Sequence, residues 1–114
     1  AVHISHGAGN GLLLPFVMEF NRPAATRALA KLPALLGAPD EDESADDAAV
    51  RAVAMVTKLR ADIGIPTRLR DVGVTEAMLP GFAEKAYAIK RLMRVNPRTP
   101  QSADEILDVY RAAF

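Results

Sequence analysis

Between its prolines and glycines, this chain repeats apolar side chains at intervals of three and four residues, and no segment shows the clean alternation of a half-buried strand. That periodicity confines the fold to helices. At 114 residues the chain forms one domain with a modest core. About five helices with short connections are predicted, in an orthogonal or bundle-like all-α arrangement.

The first helix is expected to begin near Ala8 to Asn10 and to end about Phe20. Leu12, Leu13, Leu14, Phe16, Val17 and Met18 make it apolar nearly all round, the pattern of a helix buried at the centre of a domain. Pro15 either bends it or stands in the first turn of its main part. Asn21 and Pro23 close this element, and a second helix follows over residues 24–36, strained by Pro33. Residues 37–43, with four consecutive acids from Asp40 to Glu43, read as a solvated loop.

Ser44 with Asp47 predicts a capped helix start. Ala49, Val53, Val56, Leu59 and Ile63 form its expected inner face, with Asp47, Arg51, Lys58 and Asp62 spaced for charge pairing on another. Gly64 and Pro66 stop it. A fourth helix is predicted from Pro80 to about Met93, with Phe82, Ala86, Ile89 and Met93 inward. Lys90, Arg91 and Arg94 crowd its C-terminal end, where the macrodipole favours cations. Asn96-Pro97-Arg98 breaks the chain, Ser102 and Glu105 suggest a capping box, and a last helix carries Ile106, Val109, Tyr110 and Ala113.

Several function classes fall away. Lys plus Arg and Asp plus Glu number 14 each, so no net field draws nucleic acid or an anionic membrane. The longest apolar run, Leu12 to Met18, falls far short of the ~20 residues that span a bilayer. There is no cysteine, which excludes disulfides and thiolate sites and suits a cytoplasmic protein. No basic-then-apolar leader pattern opens the chain; it starts at Ala1 rather than Met and reads as a piece of a longer protein.

The glycines of Gly7-Ala8-Gly9-Asn10-Gly11 fail as a dinucleotide fingerprint, because no strand precedes them and Leu12 follows. Their expected role is to let backbone approach closely where a helix begins. His3 and His6 are the only histidines. A histidine pair near a terminus is usually just exposed, and it matches only part of a metal site, which generally needs three or four ligands. The serines lack a G-x-S-x-G setting, and the basic residues from Lys90 to Arg98 are explained mostly by helix-end compensation.

The stretch from His6 to Asn21, HGAGNGLLLPFVMEFN, resembles the signature region of iron-containing alcohol dehydrogenases. Its marks are the His6-Gly7 pair, Asn10, the apolar run through Leu14-Pro15, and the closing Asn21. Ile63-Gly64-Ile65-Pro66 followed by Leu69 to Val74, and Asn96-Pro97-Arg98 before the last helix, are similar to the same family in the same order. Ser5 stands where proline is common in the family and Gly11 where alanine is common, and the acidic loop replaces a variable segment.

The resemblance implies that residues 1–114 are a helical metal-binding C-terminal domain, of dehydroquinate synthase-like fold, lacking the N-terminal domain that binds NAD or NADP. It implies a divalent metal, Fe(II) or Zn(II), held by one aspartate and three histidines, the last of which falls on His6. The ion would polarise an alcohol oxygen while hydride passes to nicotinamide. The implied partners are a small alcohol or aldehyde, the missing nucleotide-binding half and further copies in a homo-oligomer. His3 matches no ligand position but should border the cleft, and Leu92 is expected to line the substrate pocket. No catalytic acid or base and no cofactor-binding residue is assigned. The competing reading is a small helical interaction domain with no metal, in which His6 is a loop residue.

Overall fold

A computed structural model describes residues 5–114. The described residues are helical and include no strand. Helix α1 (His6–Asn21) leads into a 3-10 turn (Arg22–Ala24), then short helices α2 (Thr26–Ala30) and α3 (Leu32–Leu35). The long α4 (Ala45–Asp62) is followed by 3-10 turns at Leu69–Val72 and Glu76–Met78. Helices α5 (Leu79–Ala88), α6 (Lys90–Val95) and α7 (Ala103–Ala113) complete the chain. None of the described helices is long and apolar enough to cross a membrane.

The five predicted helices are all present, but two of them are divided. Residues 24–36 form α2 and α3, separated at Lys31, because Pro33 has no N–H to give Leu29 and stands instead in the first turn of α3. The expected helix from Pro80 to Met93 breaks at Ile89, whose ψ of 75° leaves the helical region. Lys90 and Arg91 therefore begin α6 instead of ending a longer helix, and only Arg94 lies in a last turn. Helix-end compensation consequently explains less of the basic cluster than the sequence suggests.

Capping is clearest on α4. Ser44 Oγ accepts from Asp47 N at 3.1 Å, as its position predicts. At the other end Gly64 takes a left-handed φ of 83°. Its N–H returns to Ala61 O at 3.1 Å and that of Ile65 to Arg60 O at 3.2 Å, which satisfies the last carbonyls as a Schellman motif. At α7 the expected box is displaced. Ser102 makes no side-chain cap bond, and Glu105 Oε2 accepts from Gln101 N at 2.9 Å.

The helices pack in two groups. Leu12, Leu69, Val72, Val74, Leu79 and Ala113 form the main core between α1, α5, α7 and the 69–74 segment. Burying Leu12 or Leu79 outright contributes about 2 kcal/mol each. In the second group Ala48, Ala49 and Ala52 of α4 lie against α2 and α3. These small side chains let the helix axes approach closely. The molecule measures 45 × 32 × 19 Å, and its radius of gyration of 14.9 Å exceeds the ~13 Å of a compact chain this long.

Two inner faces differ from expectation. Helix α1 buries Leu12 and Pro15, but Leu14 and Val17 remain exposed, so it is not enclosed on every side. On α4 Leu59 and Ile63 are exposed, and the last inward position belongs to Arg60, 6% accessible. Of the expected surface ion pairs, Lys58 and Asp62 meet at 2.6 Å. Arg51 turns instead to the acidic loop, reaching Glu43 at 2.9 Å and Ala38 O at 2.8 Å. Glu43 is thus tied down rather than simply solvated.

Candidate functional site

His6 is the first residue of α1, not a loop residue before it. Ser5 makes this so. Its backbone is extended (φ −69°, ψ 158°), and its hydroxyl accepts from Ala8 N at 3.3 Å, closing the first turn two to four residues earlier than the apolar pattern suggests. Within that turn His6 and Asn10 share a face, being four residues apart. Asn10 Nδ2 lies 3.1 Å from His6 Nε2. The two side chains thus pair across one helical turn, in a contact whose donor depends on the imidazole tautomer.

The His6 ring borders a cavity of about 270 Å³. Asn10 and Leu13 of α1, Val72 and Val74 of the connector, Phe82 of α5 and Tyr110 of α7 also line it. Three chain segments far apart in sequence thus meet at the start of α1. Leu13 and Tyr110 line a second cavity of about 270 Å³ as well, with Val17, Phe20, Leu92, Met93 and Ile106. The structure brings His6 and Leu92 to neighbouring chambers, not to one. His3 lies outside the described residues. Burial raises the Tyr110 phenol above its ordinary pKa.

Gly11 permits the close approach expected of this region. A Cβ there would stand 2.8 Å from Ile65 Cδ1, whereas one on Gly7 would meet nothing within 4 Å. Only the former glycine is explained by packing, and the flexible Ile65 tip leaves room for alanine.

Pro15 has no N–H, so the ladder of α1 loses a donor to the turn before it. The carbonyl so affected is that of Gly11, and Arg60 reaches the next one along from α4. Its Nη1 donates to Leu12 O, and the guanidinium lies 5.3 Å from the centre of the Phe16 ring. Its Nε is buried without a partner among the described residues. Burial, with Arg68 nearby, lowers its pKa below the ordinary arginine value. The joint between the two helix groups is thus a buried cation, held by a carbonyl and an aromatic face.

The far end of α1 is locked by the two asparagines that sequence marks only as motif boundaries. Asn21 Nδ2 donates to Asn96 Oδ1 at 3.1 Å, and Asn96 Nδ2 returns a bond to Asn21 Oδ1 at 2.6 Å. Asn96 also donates to Arg98 O at 2.6 Å. Arg98 donates to Phe20 O at 3.0 Å and lies over the Phe20 ring at 4.2 Å. The Asn96-Pro97-Arg98 segment therefore holds α1 in place. Lys90 rests on the Tyr87 ring at 3.2 Å, and it and Arg98 are thus each engaged with an aromatic face.

No three His, Cys, Asp or Glu side chains among the described residues are grouped to hold a metal. His6 brings one imidazole. Its exposed position suits a ligand, and one imidazole fits part of a donor set rather than a whole one. Sequence reasoning missed Asn10 as its partner, although four-residue spacing within a helix would have shown it. Arg60 gave no such sign.

Residues 1–114 match the family described as "Fe-containing alcohol dehydrogenase family, C-terminal". The chain is 40% identical over 109 residues to 1,3-propanediol dehydrogenase of Klebsiella pneumoniae, covering 96% of this chain and 28% of that protein. It is 36% identical over 112 residues to long-chain-alcohol dehydrogenase 1 of Geobacillus thermodenitrificans (strain NG80-2), covering 98% and 28%. The structure of an alcohol dehydrogenase from Oenococcus oeni superposes with a TM-score of 0.88 at 28% identity, over 97% of this chain and 28% of that one. The chain thus spans little more than a quarter of the relatives that it matches.

Proposed function

This chain belongs to the iron-containing alcohol dehydrogenase family, matching its C-terminal domain from residue 1 to residue 114, and on that premise we propose that it is the helical, metal-binding part of an NAD(P)-linked dehydrogenase of small alcohols and aldehydes. In this reading a longer polypeptide supplies the nucleotide-binding half and the remaining metal ligands. The observation that carries the proposal is His6 at the start of α1, its exposed imidazole bordering an open cavity and paired with Asn10.

When bound, Fe(II) or Zn(II) supplies Lewis-acid polarisation of the alcohol oxygen. The chain's own residues prepare that site. Ser5 fixes the first turn and so places the imidazole, and Asn10 holds the ring through its Nε2 contact. Val72, Val74 and Phe82 give the cavity beside it an apolar wall. Leu92 borders the neighbouring apolar chamber, where it meets substrate carbon rather than oxygen. His3 is assigned to the cleft edge, without a ligand role. The assembly is proposed to be a homo-oligomer acting in the cytoplasm.

The proposal is tested by stripping and reloading metal in the whole enzyme. Chelation should abolish NAD(P)-linked oxidation of small primary alcohols, and Fe(II) or Zn(II) should restore it. A stripped enzyme that keeps its full rate would leave the metal-free helical interaction domain as the better account.

A further inference from the structure

The opening of α1 bears on how His6 meets a metal, an inference that rests on reading His6 as a metal ligand. Residues 6–11, HGAGNG, place glycine at Gly7, Gly9 and Gly11 inside a helix. Glycine in place of alanine biases a helical residue toward the open chain by roughly fivefold. None of the three has a positive φ, so the helix makes no use of their backbone freedom. Packing explains Gly11, whose added Cβ would meet Ile65. A Cβ on Gly7 would meet nothing within 4 Å.

Little else holds these turns. Leu12 is the first buried residue of α1, so the six before it bring no side chain into the core. Beyond the backbone ladder, their fastenings are the Ser5 hydroxyl, 3.3 Å from Ala8 N, and the exposed contact of Asn10 with His6. Helix α4 makes the contrast. It too starts on a serine cap, but it opens Ala45-Asp46-Asp47-Ala48-Ala49, without glycine, and buries Ala48 and Ala49. A helix start that is rich in glycine and anchored by no buried side chain opens locally while the rest of the domain stays folded.

We propose that residues 6–11 form a metal-coupled latch, open for a large share of the time in the metal-free enzyme and closed when His6 takes its metal. Closing these turns fixes His6 relative to Leu12 and the core. Part of the binding free energy is thereby used to order backbone, and affinity is lowered by the fraction of molecules in which the latch is open. Helix propensity sets the size of the effect. Gly7→Ala adds a methyl group that touches no neighbour and favours the closed latch roughly fivefold, which is the ceiling on its gain in metal affinity.

The test strips the whole enzyme by chelation, titrates it with Zn(II), and follows amide hydrogen exchange residue by residue. With free Zn(II) at about 100 times its Kd, exchange at Gly9, Asn10 and Gly11 should slow by between about tenfold and the ~100-fold that linkage allows. Exchange at Ala48 and Ala49 of α4 should not change. Gly7→Ala should tighten Zn(II) binding by between about twofold and fivefold, and should slow exchange at the same three amides in the metal-free enzyme. Gly81→Ala on α5, where an added Cβ also meets nothing within 4 Å, should leave Zn(II) affinity unchanged, which separates a latch from a general gain in stability. Unaltered affinity in Gly7→Ala, equal gains from both glycine variants, or exchange at residues 9–11 indifferent to zinc would overturn the inference. Zinc held equally well by a His6→Ala enzyme would instead overturn the metal reading beneath it, so the two failures are distinguishable.

Discussion

Replacing Asn96 by alanine should destabilise the domain by about 2 kcal/mol. The side chain makes three hydrogen bonds, two exchanged with Asn21 and one to Arg98 O. A net ~0.5–1.5 kcal/mol for each gives roughly 1.5–4.5 kcal/mol. The lower half of that range applies, because both asparagines are only partly buried and water can reach the groups left behind. For a domain of this size the loss corresponds to a fall in Tm of about 10 °C. Urea unfolding should show a lower midpoint with an unchanged slope. Asn21→Ala should cost less, since it leaves the bond to Arg98 O intact. The double variant should fall short of the sum of the two losses by about 1 kcal/mol, the signature of a direct pair. Asn96→Asp should be worse than alanine near neutral pH, because a carboxylate oxygen would replace the amide that faces two acceptors. If Asn96→Ala costs under ~0.5 kcal/mol, or if the two losses simply add, the asparagine clamp does not secure α1.

Two further outcomes follow from the buried joint and from the shared wall. Arg60→Ala should destabilise by about 3 kcal/mol in urea, since it removes a buried charged donor from the Leu12 carbonyl and leaves a void beside Phe16; a loss below 1 kcal/mol would show that the cation does not join the two helix groups. Burial raises the pKa of Tyr110, so the unfolded phenol ionises from about pH 10 while the folded one stays protonated. This contribution to stability is complete below pH 10 and is lost as pH rises through the folded pKa. Tyr110→Phe should flatten the fall in urea midpoint between about pH 9.5 and 11; an equally steep fall would place the strain elsewhere.

Local chemistry was legible in the sequence, and distant pairing was not. Ser44, Gly64 and Pro33 act on their own backbone, so the boundaries they set follow from residue type. The His6-Gly7 motif placed the imidazole correctly near the helix mouth, and Ser5 then supplied a cap without the acidic partner that usually advertises one. The break at Ile89 involves neither proline nor glycine, so no local rule marks it. On α4, hydrophobicity nominated Leu59 and Ile63 for the core, yet the position that meets α1 is Arg60, held there by the Leu12 carbonyl and the Phe16 ring. Asn21 and Asn96 each ended a recognisable motif, but their bond spans 75 residues and exists only once the helices have packed.

The central claim, that His6 gives its ring nitrogen to the metal of an alcohol dehydrogenase, is tested most directly by His6→Ala in the whole enzyme, with His3→Ala beside it. Metal content and NAD(P)-linked alcohol oxidation are measured on each, and helicity by circular dichroism. His6 is exposed and lies outside the core, so helicity should persist while bound metal falls and activity drops by at least about 100-fold, as loss of one of a few ligands requires. His3→Ala should cost far less. A His6→Ala enzyme that retains full metal and full activity would contradict the account.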